Sequence, residues 1–142
     1  MSTIHEVLRH KGSEVWSIQS DASILQAIEK MAKKQVGALL VMEDDRLAGI
    51  ITERDYARKV ALEGRSSRDS QVRDIMSTKV LCARPDQTVQ ECMALMSDKR
   101  ARHLPVLDHK KVIGLVSIGD LVKSIISEQQ HEIESLQYYI NH

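Results

Sequence analysis

A seven-residue motif, Gly49-Ile-Ile-Thr-Glu-Arg-Asp55, returns as Gly114-Leu-Val-Ser-Ile-Gly-Asp120, an offset of 65 residues. The same gapless shift pairs Val15 with Val80, Asp21 with Asp86, Met31 with Met96, Leu39 with Leu104 and Val41 with Val106. Ser23-Ile-Leu-Gln26 and Thr88-Val-Gln-Glu91 also lie 65 apart, and each reads as a helix-opening capping box. One structural unit is therefore written twice. A lone unit of roughly 60 residues buries little surface, so two copies are expected to share their apolar faces about an internal pseudo-twofold axis.

Each copy reads as strand, helix, strand, strand, helix. In the first, Val15–Ile18 is a short strand, and Ile24, Ala27, Ile28, Met31 and Ala32 form one helical stripe. Ala38–Met42 and Leu47–Thr52 form a hairpin about the polar turn Glu43–Arg46, and a helix follows from Glu53 to about Glu63. In the second, a strand at Val80–Ala83 precedes a helix with Val89, Cys92, Met93 and Met96 inward, then a hairpin through Leu104–Leu107 and Val112–Val116. Pro105 cannot donate to a ladder, which implies an edge or a bulge there.

The fold class is α+β, with a short N-terminal helix built on Ile4, Val7 and Leu8, accessory to the repeat and ending near Gly12. The organisation reads as residues 1–64 (N-terminal helix plus first repeat), a polar linker 65–71, a second repeat 72–127 and a helical extension 128–142. In the last helix, starting near Ser117, the apolar stripe Leu121, Val122, Ile125, Ile126, Ile133, Leu136 and Ile140 runs past what the repeat needs. That surplus predicts self-association, most simply a homodimer, over folding back on its own core.

Twenty Lys+Arg against twenty Asp+Glu give zero formal charge, and aromatic residues make up 3%, which disfavours nucleic acid and anionic membranes as partners. Cys82 and Cys92 lack ligand spacing and read as reduced thiols, and the histidines have no metal spacing. Without a long apolar run or a signal-peptide core, the chain reads as soluble and cytoplasmic. Phosphate-loop, zinc-protease and Ser/His/Asp signatures are missing, so an enzyme is not expected.

The repeated motif turns a buried strand straight into a helix. Thr52 and Ser117 then sit where the first helical amides lack partners, a natural place for phosphate or ribose oxygens. Asp55 and Asp120, three residues on, offer only acceptors and suit the 2′ and 3′ hydroxyls of a ribose. The simpler alternative is that both Asp residues and both hydroxyls merely cap their helices.

The duplicated pattern of strand, capped helix, hairpin and Gly-apolar-apolar-Thr/Ser-x-x-Asp resembles a tandem pair of CBS domains, a Bateman module, over about residues 12–127. The resemblance implies a regulatory module that binds an adenine nucleotide (AMP, ATP, NAD or S-adenosylmethionine) between the repeats. Carried over, it implies one cleft with Thr52, Arg54 and Asp55 facing Lys79, Val80, Leu81, Arg102, His103, Leu104 and Pro105. It implies a second with Ser117, Ile118 and Asp120 facing Val15, Trp16, Ile18, Val36, Gly37 and Ala38. Arg54, Arg102 and His103 make the first cleft the basic one, suited to phosphate; small residues and Trp16 leave the second room for a stacked ring. AMP or NAD is expected before ATP, with no metal. The competing reading is an empty-cleft dimerisation scaffold acting through the terminal helix, and the signal is expected to pass through an assembly or a separate effector protein.

Overall fold

In a computed structural model describing residues 2–141, the chain divides into two compact units. One is residues 15–80; the other joins residues 1–14 to residues 81–142.

The 15–80 unit holds β1 (Ser17–Gln19), α2 (Ile24–Lys34), β2 (Ala38–Glu43), β3 (Arg46–Thr52) and α3 (Glu53–Tyr56), while α1 (Ile4–Lys11) belongs to the other unit. Its sheet runs β1-β2-β3, with β1 parallel and β3 antiparallel to β2. β1 begins two residues later than the expected strand, although the Leu40 N–H still reaches Trp16 O at 3.1 Å. Ser23 opens α2 with a reciprocal capping box: its Oγ accepts the Gln26 N–H and its own N–H donates to Gln26 Oε1. The apolar stripe predicted for α2 puts Ile24, Ala27 and Met31 in a core with Leu39, Val41, Ile51 and Val60. Val72 and Ile75, on a 3₁₀ turn at Val72–Asp74, complete that core. The polar stretch before them is tied down, with Ser67 O and Ser70 O accepting the N–H groups of Leu25 and Ile24.

One expectation needs correction. The helix read as continuous from Glu53 to about Glu63 keeps α geometry only to Tyr56, and Ala57–Ala61 is π-helical. There the Leu62 and Arg65 N–H groups reach back five residues, to Ala57 O and Val60 O.

The second unit contains α1 (Ile4–Lys11), α4 (Val89–Lys99), the antiparallel hairpin β4 (His103–Asp108) and β5 (Lys111–Ser117), and α5 (Ile118–Asn141). Ile4, Val7 and Leu8 of α1 pack with Val89, Cys92, Met96, Leu104, Val116 and Leu121. Backbone bonds fix the helix start: Ile4 N–H to Gln87 O and His5 N–H to Pro85 O, both 2.9 Å.

The duplication holds in detail. α2 and α4, β2 and β4, and β3 and β5 all start and end 65 residues apart. The ladder irregularity at Val41/Met42 recurs at Val106/Leu107, and the left-handed helix ends at Gln35 and Arg100 have φ of 56° and 55°. One strand departs from the symmetry. The strand expected at Val80–Ala83 is reduced to a single parallel bridge, Ala83 to Val106, where the first copy pairs Ile18 with Val41 inside a ladder. Pro105 occupies the place of Leu40, whose N–H bonds Trp16 O, so the corresponding bond cannot form in the second copy. The bulge is not due to Pro105, because the first copy has it without a proline.

Candidate functional site

Each unit carries one strand-to-helix junction, and the two are built alike. β3 ends at Thr52, which pairs with Ala38, and the Glu53 N–H donates to Gly37 O at 3.0 Å. Sixty-five residues on, Ser117 pairs with His103 and the Ile118 N–H donates to Arg102 O at 2.9 Å. Within the 15–80 unit the fold therefore brings Gly37 and Ala38 beside Thr52, with Arg54 and Asp55 on the following turn. Within the other it brings Arg102 and His103 beside Ser117, Ile118 and Asp120.

Close packing dictates the glycine that opens each motif. A Cβ on Gly49 would lie 2.6 Å from Ser77 O, and one on Gly114 would lie 2.7 Å from Leu8 Cδ2.

The motif side chains form capping boxes. Asp55 Oδ2 accepts the Thr52 N–H at 3.0 Å and the Thr52 hydroxyl at 3.1 Å, while Thr52 Oγ1 accepts the Asp55 N–H. Asp120 Oδ2 accepts the Ser117 N–H at 2.8 Å and Ser117 Oγ accepts the Asp120 N–H. The capping role weighed from the sequence is thus present at both junctions.

Each carboxylate also has an ammonium partner, and here the copies diverge. Lys59, one turn along from Asp55, stands 3.6 Å from Asp55 Oδ1 and donates to Ile75 O at 2.9 Å. The second copy has Ser124 at that place, and Lys11 of α1 supplies the charge instead. Its Nζ lies 2.6 Å from Asp120 Oδ2 and also donates to Leu115 O. Burial opposes the Asp120 charge, yet the Lys11 and Ser117 hydrogen bonds and the Lys11 charge outweigh it, so the carboxyl titrates below its ordinary range. Lys11 was not legible as a site residue, because it lies 109 positions from its partner.

The other expected site residues take varied positions. Trp16 is half-buried against the first core with Lys34 Nζ 4.2 Å over its ring; Ile18 and Val36 pack on that core too, and Val15 is half-buried. Lys79 and Val80 lie in irregular chain. Leu81 packs against the second core, Leu104 and Pro105 are buried in β4, and Arg102 is exposed. Both cysteines are free thiols; burial raises the pKa of Cys82 and is the leading cause of the rise at Cys92, so neither has the depressed pKa of a nucleophile. Among the described residues no His/Cys/Asp/Glu cluster could hold a metal, and no helix is long and apolar enough to cross a membrane.

Two α/β units carrying the same capped Asp junction define a duplicated α+β module. The chain belongs to the CBS-domain family, whose model matches residues 4–62 and 72–127. It is similar to the mitochondrial CBS domain-containing protein CBSX3 of Arabidopsis thaliana, 42% identical over 98% of this chain and 72% of the relative. It is also similar to YhcV of Bacillus subtilis, 28% identical over 91% and 89%. Among solved structures, a putative signal-transduction protein with CBS domains from Burkholderia ambifaria superposes with a TM-score of 0.87 at 50% identity, covering 90% of this chain and 96% of that one. The fold alone is shared with the CBS pair of protein MJ0100, solved with 5′-methylthioadenosine and S-adenosyl-L-methionine, at a TM-score of 0.79 and 24% identity over 90% and 98%.

Proposed function

We propose that this chain is a regulatory module that binds an adenine nucleotide, AMP or NAD ahead of ATP, and carries out no chemistry of its own. The observation that carries the reading is the duplicated junction. At each, a strand-end hydroxyl and an acceptor-only carboxylate share one turn, groups that suit the hydroxyls of a ribose diol. Asp55 and Asp120 take the ribose hydroxyls, and Thr52 and Ser117 the neighbouring oxygens.

Arg54, Arg102, His103 and Lys79 supply positive charge for phosphate. The apolar chain of Val80, Leu81, Leu104 and Pro105, and of Val15, Trp16, Ile18, Val36, Gly37, Ala38 and Ile118, encloses adenine. The protein acts in the cytoplasm as a homodimer and passes its signal to an effector protein. Ligand shifts its conformational equilibrium only by the difference in affinity between states.

The family supports the regulatory reading, and in MJ0100 this fold carries two adenosine compounds. The test is mass spectrometry of small molecules released from the denatured protein, then calorimetric titration of what is found. AMP or NAD, with binding lost in Asp55→Ala or Asp120→Ala, is the expected result. No released nucleotide and no binding at millimolar concentration would overturn it. A second reading, a scaffold acting through its terminal helix, is favoured by the exposed apolar length of α5.

A further inference from the structure

α5 has two apolar faces. The short one is satisfied: Leu121 is fully buried and Ile125 packs on the core of its own unit. The second lies roughly a quarter-turn around the helix and continues to its end, where residues 131–141 are all exposed. Along it, Val122, Ile126, Gln129, Ile133, Leu136 and Ile140 alternate at spacings of four and three, the a/d seam of a heptad repeat. Ile126, Ile133, Leu136 and Ile140 are 58%, 50%, 63% and 82% exposed.

We infer that this seam is an interface with a second copy of the chain, formed as a parallel two-stranded coiled coil of α5. The inference deepens the homodimer part of the proposed function and is independent of the nucleotide. Three features select the occupant. First, Ile fills every a position from Ile126 onward and Leu136 holds a d position, the pairing that favours two parallel strands. Second, the polar d residue, Gln129, meets its own copy in a parallel pair, where each amide can donate to the other. The best-overlapping antiparallel pair would set Gln129 against Ile133 and leave a buried amide without a partner. Third, Glu132 at g faces the amide of Gln137 at e of the parallel partner, whereas the antiparallel pair brings the two Glu132 carboxylates together.

The area suffices. At on the order of 100 Å² per apolar seam side chain, two copies bring together roughly 1,000 Å², about the threshold for a stable interface.

The test is sedimentation equilibrium of the full chain beside Ile133→Asp. The native protein is expected as a dimer, and the variant as a monomer with its dissociation constant raised at least ~100-fold, because the charge would be buried in the seam. Ile133 touches neither core, so circular dichroism should show both proteins equally folded. Orientation is read from oxidative cross-linking of Gln129→Cys, which gives a covalent dimer only if like positions face each other. A monomeric native protein would overturn both the homodimer and this interface. A dimer unaffected by Ile133→Asp would overturn the interface while leaving the homodimer standing. Cross-linking of mixed Ile126→Cys and Leu136→Cys chains in preference to Gln129→Cys would overturn the parallel orientation.

Discussion

Replacing Lys11 by Met removes the ammonium that faces Asp120 and keeps most of the apolar stem. The ion pair is short, 2.6 Å, with side chains 32% and 19% exposed. Its worth therefore falls between an exposed pair, roughly 0–1 kcal/mol, and a well-shielded charged hydrogen bond, roughly 1.5–3 kcal/mol. A loss of about 1 kcal/mol at pH 7 is expected by urea denaturation. The pH dependence follows from the direction of the Asp120 shift. Because its folded pKa is depressed, the stabilisation is present above the unfolded carboxylate value and lost as pH falls through the folded one. The gap between native and variant stability should therefore be full at neutral pH and narrow in acid, leaving the share due to the Lys11 bond to Leu115 O.

A second readout concerns ligand. A ribose diol that takes both oxygens of Asp120 competes with Lys11 for Oδ2, so Lys11→Met should tighten nucleotide binding by about fivefold, the equivalent of about 1 kcal/mol. A stability gap that is constant from pH 7 into acid would refute the ion-pair reasoning. Weaker nucleotide binding would show that Lys11 assists the ligand instead of competing with it.

The two motif glycines should not cost the same to replace. In Gly49→Ala the new methyl meets Ser77 O, which accepts the Ile50 N–H at 3.0 Å while the Ser77 N–H donates to Ile50 O, so backbone must move. In Gly114→Ala it meets only the tip of Leu8. Losses of about 3 and about 1 kcal/mol are expected in chemical denaturation, and the reverse order would count against the packing argument. The left-handed ends at Gln35 and Arg100 carry a Cβ where glycine is preferred, and Gln35→Gly should raise the melting temperature by an amount equivalent to about 0.5 kcal/mol. A lowered melting temperature would mean that the Gln35 side chain contributes more than its backbone costs.

The repeat made most of the fold readable. Capping residues, apolar stripes and hairpin turns all act locally, so Ser23, Thr88 and the Gly49 and Gly114 motifs announced helix starts and strand ends at the right places. The strand expected at Val80–Ala83 did not form, although Pro105 marked a missing donor in the neighbouring strand. The π-helical turn after Tyr56 left no mark, since neither glycine nor proline stands between residues 53 and 63. At the two junctions the capping roles of Thr52, Asp55, Ser117 and Asp120 were legible because they depend on a spacing of three. Lys11 was not, because its role depends on where α1 docks, and the stripe Ile4, Val7, Leu8 says that a face is buried without saying against what.

That docking bears on the order in which the molecule can be made. The 15–80 unit is one continuous stretch, so all its parts are available as soon as that stretch is free of the ribosome. α1 is synthesised before it but has its partners in Val89, Leu104, Val116 and Leu121, so its apolar face must wait through about a hundred further residues. During that interval Ile4, Val7 and Leu8 are uncovered. α1 is made well before its partners, and its docking puts the ammonium of Lys11 on Asp120.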